Sequence, residues 1–356
     1  MTVAPPPRRV TSFDVAERAG VNQSTVSRAL KGDPSITEQT RIKVEDAARE
    51  LGYFVDDRAA RLRSGKTETV AIVVIAREGL DATEINPFHY NLLGSTCAAA
   101  SARGYQALVS IQSAPDHFYS DYIESRQADC VIVLGTATND AAWEFHRPLL
   151  SRDHVASWGS PFDEHARTSS DNVAGGRMAV EALLSAGYRD IAFIGDTGDR
   201  QYQFRERYEG YRQAMAEAGL SATEPVFAEA EMRVEQGRRA ARALLQSGVP
   251  CDALFCCCDA MALGALEVLN EAGVDVPEAI GIIGFDGLGV GAHSNPPLTT
   301  IEPDFKQAGI ALVEAALGER SSEAELRVPV RLVERSSVRS VDTVRGVERV
   351  AGIEPA

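Results

Sequence analysis

The sequence predicts a small all-α head followed by a large α/β region of two parallel sheets. Three observations lead there. An apolar pattern of helical period is confined to residues 10–56. From Thr69 onward the pattern switches to continuous apolar runs separated by helical stretches. The length, 356 residues, exceeds one ordinary domain and suits a small domain plus a large, bilobed one. With 44% hydrophobic residues the chain can bury a sizeable core.

The first helix is expected over residues 12–19, with Ser12 as N-cap, an acidic first turn, and Phe13, Val15, Ala16 and Ala19 as its apolar positions. Gly20 ends it, because glycine readily takes the left-handed conformation of a tight interhelical turn. Ala16 is small enough for a second helix to approach closely. Val21, Val26 and Leu30 then fill the space between the two helices. The second helix is left with Gln23, Ser24, Thr25, Ser27 and Arg28 outward, all hydrogen-bonding and only the arginine charged. That inventory suits base edges and phosphates, in the manner of a helix-turn-helix. An amphipathic hairpin packed on some other surface would fit the same pattern.

A loop over residues 31–35 leads to a third helix, capped by Thr37 and running to about Leu51. Its apolar stripe is Ile42, Val44, Ala47, Ala48 and Leu51, with Tyr53 and Phe54 expected to finish the three-helix core. Residues 1–9 read as a flexible arm whose Arg8 and Arg9 can add phosphate contacts. Residues 57–65 are compatible with about two turns of helix, too short to be stable alone, or with a charged linker.

In the large region, apolar runs at 70–75, 130–134, 191–194, 253–257 and 280–285 read as strands buried on both faces, and 328–333 as a late strand. Helical stretches at 92–103, 175–184, 208–218, 236–245 and 260–271 lie between them. Such alternation implies parallel sheets with right-handed crossovers. Residues from about 340 read as a disordered tail.

The net charge of -15 argues against nucleic acid until it is divided. Residues 1–66 carry 12 Lys+Arg against 9 Asp+Glu, a net +3, and the remainder carries -18. A mildly basic head on an acidic body fits a protein that touches DNA with one end. No stretch approaches the ~20 apolar residues of a membrane span, and the N-terminus lacks the apolar core of a signal peptide, so the expected location is cytoplasmic. Six cysteines then belong to a reducing compartment. Cys256-Cys257-Cys258 reads as buried strand rather than metal site, since adjacent strand residues face opposite ways and no histidine cluster accompanies them.

Residues 10–65 resemble the lactose-repressor (LacI/GalR) family of bacterial transcription regulators. The motifs that carry the resemblance are Val10-Thr11, Asp14-Val15-Ala16, Ala19-Gly20-Val21, Thr25-Val26-Ser27-Arg28, Thr40-Arg41 and Leu51-Gly52-Tyr53. It extends to Val338 through Asn86-Pro87-Phe88, Ser170-Asp171-Asn172, Asp259-Ala260-Met261, Gly284-Phe285-Asp286 and Pro297-Leu298-Thr299-Thr300. The resemblance implies a two-lobed, periplasmic-binding-protein-like effector region crossed by the chain near residues 165, 300 and 328. It implies the domains 1–9 (arm), 10–56 (helix-turn-helix), 57–66 (hinge helix), 67–339 (effector binding and dimerisation) and 340–356 (tail).

DNA contacts are implied for Thr11, Asn22, Gln23, Ser24, Thr25, Ser27 and Arg28, with Gln23 and Ser24 at the positions that set operator choice in the family. In the hinge, Leu62 would be the minor-groove wedge, Ala59 and Ala60 would allow close packing, Arg61 and Arg63 would meet phosphates, and Arg58 would join the DNA contacts. Val55-Asp56-Asp57 departs from the proline and asparagine usual there, and two acids beside a phosphate backbone weaken binding.

Ligands of open α/β sheets bind beyond the carboxyl ends of strands, and a sugar needs polar groups around its hydroxyls and an apolar face beneath its C–H surface. Phe88, His89, Trp158, Arg207 and Asp286 stand after strands, and family correspondence makes Arg207 and Asp286 the polar anchors of the effector. Cys258 replaces an asparagine frequent in sugar-binding members, and Met232 replaces an aromatic residue. Trp158-Gly159 and Ser170-Asp171-Asn172 look like members that sense gluco-configured saccharides. The implied partners are a palindromic double-stranded operator, a small saccharide effector and a second copy of the chain, as dimer or as tetramer. A partner protein as effector, as in the catabolite-control branch, is the alternative. An enzyme is not expected: residues 284–291 lack the G-x-G-x-x-G spacing, the histidines lack metal-ligand spacing, and no serine sits in a G-x-S-x-G turn. No metal or cofactor is implied.

Overall fold

The structure is a computed structural model that describes residues 10–54, 66–78, 85–135, 139–162, 168–199, 201–230, 232–319 and 325–340. The chain separates into two compact units, Met1–Thr67 and Glu68–Ala356. The expected hinge residues Arg58, Ala59, Ala60, Arg61, Leu62 and Arg63, the arm over 1–9 and the tail beyond Ser340 lie outside the described residues. No helix among the described residues is long and apolar enough to cross a membrane.

The first unit holds three helices, α1 (Ser12–Ala19), α2 (Gln23–Leu30) and α3 (Glu38–Leu51). Thr11, not Ser12, caps α1. Its hydroxyl accepts from the Asp14 amide while the Asp14 carboxylate accepts from the Thr11 amide at 2.7 Å, a reciprocal capping box. Gly20 closes α1 at φ 66. The core is Val15, Ala16, Val26, Ala29, Val44, Ala47 and Ala48, with Tyr53 packed against it. Phe13, Ile42 and Phe54 stay exposed, at 71%, 49% and 84%. An eight-residue helix packed by two neighbours buries only a narrow face, and Phe13 lies outside it; Phe54 follows the left-handed Gly52 cap that turns the chain away.

The second unit contains two sheets. In lobe 1, β1 (Thr69–Ile75), β2 (Gln106–Gln112), β3 (Cys130–Gly135), β4 (Val155–Trp158), β5 (Thr168–Ser170) and β10 (Leu326–Val328) lie in the order β10-β5-β4-β3-β1-β2, all parallel. Val70, Ile72 and Val74 pack into one core and Ala71, Val73 and Ile75 into another, so the continuous apolar run is a strand buried on both faces. Helices α4 (Pro87–Ala102) and α5 (Asp140–Leu150) belong to this lobe.

Lobe 2 places β6 (Ile191–Ile194), β7 (Ala253–Cys256), β8 (Gly281–Phe285), β9 (Thr299–Pro303) and β11 (Val330–Val333) in the order β11-β9-β8-β7-β6. Only β11 runs antiparallel to its neighbour. Its helices are α6 (Asn172–Ser185), α7 (Tyr202–Glu217), α8 (Arg233–Ser247) and α9 (Asp259–Glu271). After β9 the chain returns to lobe 1 as α10 (Phe305–Ala316), whose Ala308, Leu312 and Val313 join the lobe-1 core.

The crossings fall at Asp171, Asp304 and Pro329, a few residues later than residues 165, 300 and 328. The single late strand expected over 328–333 is two strands in different sheets. Pro329 breaks it, since proline has no N–H for a ladder, and its carbonyl instead accepts from the Asp304 amide at 2.9 Å. Val328 likewise accepts from the Asp171 amide at 2.8 Å, so the three crossings are fastened to one another.

Candidate functional site

In the head, the α2 surface is organised by Asn22. Its Oδ1 caps the helix by accepting from the Thr25 amide at 2.8 Å, and also accepts from the hydroxyls of Thr25 at 2.7 Å and Ser24 at 2.8 Å. Asn22 and Thr11 therefore hold helix starts, and each fixes where the following side chains point. Gln23 donates to the Ser12 Oγ at 3.2 Å, which ties α2 to α1 and leaves its Oε1 outward. Arg28 is exposed, and among the described residues its terminal guanidinium nitrogens have no partner. Ser27 is half-buried beside it. Arg18 of α1 and Glu50 of α3 form an exposed ion pair at 2.7 Å that clamps the outer helices. An arginine, a glutamine and short hydroxyls thus stand together on one helix face whose back is buried.

In the second unit a cavity lies between the lobes, beyond the carboxyl ends of strands from both sheets. Phe88, His89, Gly135 and Gly159 come from lobe 1, and Gln201 to Phe204, Arg207, Arg233, Cys258 and Asp286 from lobe 2. Of the expected effector residues, Phe88, His89, Arg207, Cys258 and Asp286 are brought together. Trp158 is not a wall: it is 2% exposed in the lobe-1 core and supports Phe88, ring centroids 5.9 Å apart. A strand-end tryptophan large enough to fill the core is drawn inward, and Gly159 takes the cavity position instead. Asp171 caps α6 by accepting from the Ala174 amide at 3.1 Å and does not line the cavity. Met232, 44% exposed, occupies the cap position of α8 and points elsewhere, so Arg233 is the residue of that turn that reaches the cavity.

Arg207 is held from several sides. Its Nε donates to Asn172 Oδ1 at 3.0 Å, its Nη1 to the Cys257 carbonyl and to Asp286 Oδ1 at 3.3 Å, and its guanidinium carbon lies 3.5 Å from the Phe285 ring centroid. Asp286 adopts φ 120, a costly conformation for a residue with a Cβ, and its amide donates to the Ile301 carbonyl at 2.8 Å. Burial pushes its carboxyl up to about 6, against the opposing pull of Arg207. Asp259, behind it, is pushed well above the usual range by burial, with Asp286 adding to the effect; it accepts from Thr300 Oγ1 at 2.6 Å and the Leu288 amide at 2.7 Å. Burial lowers His89, which keeps its imidazole neutral.

The geometry offers a fixed guanidinium–carboxyl pair, amide groups at Asn86, Gln201 and Gln203, and the aromatic rings of Phe88, Tyr202 and Phe204. Cys256, Cys257 and Cys258 are buried free thiols, and burial raises Cys256 well above its usual value. Among the described residues no group of three or more His, Cys, Asp or Glu is placed to hold a metal ion. Sequence reasoning missed Gly135, the last residue of β3, named Gly159 only beside Trp158 and not as a wall, and missed residues 201–204 and Arg233, which carry no periodic signal.

The profile of bacterial regulatory proteins of the lacI family matches residues 13–55, and that of a periplasmic binding protein-like domain matches residues 180–338. The HTH-type transcriptional regulator CelR of Thermobifida fusca is 32% identical over 348 residues, covering 93% of this chain and 98% of that protein. The HTH-type transcriptional repressor CytR of Escherichia coli (strain K12) is 29% identical over 342 residues, covering 93% and 97%. Among solved structures, the transcriptional regulator CelR–cellobiose complex matches with TM-score 0.65 and 28% identity over 92% of this chain and 100% of that one. The lac repressor dimer bound to operator and the anti-inducer ONPF shares the fold with TM-score 0.76 at 22% identity, over 94% and 100%. The chain belongs to the lacI family of bacterial regulatory proteins and is a DNA-binding regulator of transcription.

Proposed function

We propose that the protein is a cytoplasmic repressor of carbohydrate-utilisation genes that binds a roughly palindromic operator as a homodimer and is released by a small saccharide, gluco-configured, in the cleft. The observation that carries this reading is the Arg207–Asp286 pair, fixed by Asn172, the Cys257 carbonyl and the Phe285 ring beside the aromatic rings of the cavity. A guanidinium and a carboxyl at fixed spacing suit vicinal hydroxyls, and an aromatic ring suits the C–H face of a pyranose. The relative solved with cellobiose supports the gluco configuration.

In this reading the saccharide shifts the angle between lobes, the segment carrying Arg58, Ala59, Arg61 and Leu62 loses its pairing with the second copy, and the operator is released. No catalytic step is assigned to the chain. The test is a thermal-shift panel of saccharides on the full-length protein, followed by titration of a labelled palindromic duplex with and without the hit. A saccharide at about 100 times its dissociation constant stabilises by about 2.7 kcal/mol and should weaken duplex binding. A shift with a phosphocarrier protein and with no saccharide would move the reading to a partner-controlled regulator.

A further inference from the structure

The charges around the cavity do not balance. Its charged lining, among the described residues, is Arg207, Arg233 and Asp286, two cations and one acid. Arg207 is matched by Asp286, Asn172 and the Cys257 carbonyl. Arg233 is not matched in that way. It lies in the first turn of α8, half-buried, with Nη1 donating to Gln236 Oε1 at 3.0 Å and Nη2 to Gln201 Oε1 at 3.2 Å. Its guanidinium carbon lies 4.8 Å from the Phe204 ring centroid, which fixes the plane of the group. Both hydrogen-bond partners are neutral amides, and among the described residues no carboxylate forms a close ion pair with it; Asp286, paired with Arg207 at 3.3 Å, feels it only at longer range.

A neutral sugar uses Arg207 and Asp286 for its hydroxyls and leaves this second guanidinium with nothing its charge requires. Gln236 is buried and tied to the Ala230 carbonyl at 2.7 Å, so Gln201 is the amide that an incoming anion can displace. A planar anionic group is not a substitute but an improvement, because the guanidinium fork donates two parallel N–H bonds to a carboxylate or phosphate and each bond is charge-assisted. Burial lowers His89, which therefore adds no competing charge, and the amides of Gln201 and Gln203 line the same cavity and can donate to the remaining anionic oxygens.

We propose that the effector is an anionic saccharide, a sugar bearing a carboxylate or a phosphate that pairs with Arg233 while Arg207 and Asp286 hold its hydroxyls. The inference rests on the saccharide reading of the same cavity and narrows its class. A neutral sugar is bound by position; an anionic one is also selected.

The experiment is calorimetric titration of the full-length protein at about pH 7.5, where Asp286 is ionised, with neutral and anionic probes in parallel. The probes are glucose and cellobiose, glucuronate and cellobionate, and glucose 6-phosphate. The expected result is that a charged probe binds about tenfold or more tightly than its neutral counterpart. Arg233→Gln should abolish that margin and Arg233→Lys keep part of it. Preference for the carboxylates or for the phosphate identifies the anionic group, and either supports the proposal. A neutral probe that binds as tightly as its charged counterpart overturns the anionic class and leaves the saccharide reading intact. Failure of every probe overturns both. A margin that survives in Arg233→Gln, with the variant melting at the wild-type temperature, removes Arg233 from the role.

Discussion

Glu206 and Arg327 form an ion pair at 2.7 Å that joins α7 of lobe 2 to β10, the last strand of the lobe-1 sheet. Glu206 is also the neighbour of Arg207, and Asn172 bridges the two: the second Glu206 oxygen accepts from Asn172 Nδ2 at 2.9 Å, and Asn172 Oδ1 accepts from Arg207 Nε at 3.0 Å. A continuous hydrogen-bonded chain therefore runs from the cavity, through Asn172 and Glu206, to the strand that ends at the Pro329 crossing. Two lobes that change their angle must strain this chain. Glu206→Gln is expected to leave the fold intact, since a partly exposed pair contributes about 0.2–1 kcal/mol. It should reduce, by about 0.5–2 kcal/mol, the effect of the saccharide on operator affinity. The measurement is operator affinity with and without saturating saccharide in wild type, Glu206→Gln, Arg327→Met and the double variant. Additive single effects would mean that the pair carries no coupling.

Gly176 tests how closely α6 and α7 must approach to place Arg207. A Cβ there would sit 2.2 Å from the Arg207 carbonyl oxygen, a backbone atom that cannot swing aside. Gly176→Ala should therefore push the helices apart, destabilise the second unit by about 1–3 kcal/mol, and weaken saccharide binding through the displaced arginine. Gly94 in α4 has nothing within 4 Å of its Cβ position, so Gly94→Ala should stabilise by about 0.5–1 kcal/mol by removing backbone freedom from the unfolded chain. Thermal melts of the two variants should move in opposite directions. Equal shifts would show that helix–helix approach is not what Gly176 provides.

Asp286 sets a pH dependence with a definite sign. Its folded-state pKa, raised to about 6, lies above the ordinary aspartate value, so its contribution to stability is present at low pH and is lost as pH rises through about 6. His146 works in the opposite sense: burial lowers it to about 4, so acidification below its ordinary value costs stability. The wild-type curve mixes these effects with that of Asp259, and the difference between wild type and Asp286→Asn reports Asp286 together with its coupling to Asp259. On going from about pH 7.5 to pH 5, wild type should gain about 1–2 kcal/mol relative to the variant, a shift of a few degrees in melting temperature. A difference that does not change with pH would mean that Asp286 is ionised throughout.

The parts of the fold legible in the sequence are those whose physics is local. The run from Val70 to Ile75 could only be a strand with both faces covered, and it is. β2 was not legible, because an edge strand keeps Gln106, Ala107, Val109 and Ile111 exposed and loses the apolar signal. β4 and β5, at four and three residues, are too short to show a period. Ser12 was one residue off as a cap because Thr11 and Ser12 are chemically equivalent there, and only the reciprocal bond with Asp14 chooses between them. In the cavity, Phe88, Arg207 and Asp286 stand after strands, but so does the buried Trp158; Arg207 and Asp286 were named as anchors only through the family resemblance. Arg233 was not, since the choice between Met232 and Arg233 depends on how α8 is rotated against lobe 2. Helix rotation is a tertiary property.

The head separates two kinds of change that are easily confused in a binding assay. Thr11 holds the start of α1 through its capping box, and Thr11→Ala should cost about 1 kcal/mol of head stability. In a unit this small that is a drop of about 4–8 °C for its transition. Operator and random duplex should weaken together, because fewer folded heads bind either. Arg28 contributes almost nothing to the folded head, being exposed with its terminal nitrogens unpartnered among the described residues. Arg28→Ala should therefore leave the melt unchanged and remove about 1–3 kcal/mol of discrimination between operator and random duplex. Competition titration at two salt concentrations separates the possibilities, since loss of a phosphate contact lowers the salt slope whereas loss of a base contact does not. If Arg28→Ala weakened both duplexes equally and flattened the salt slope, the arginine would be a phosphate anchor, and base choice would rest on Gln23 and Ser24 alone.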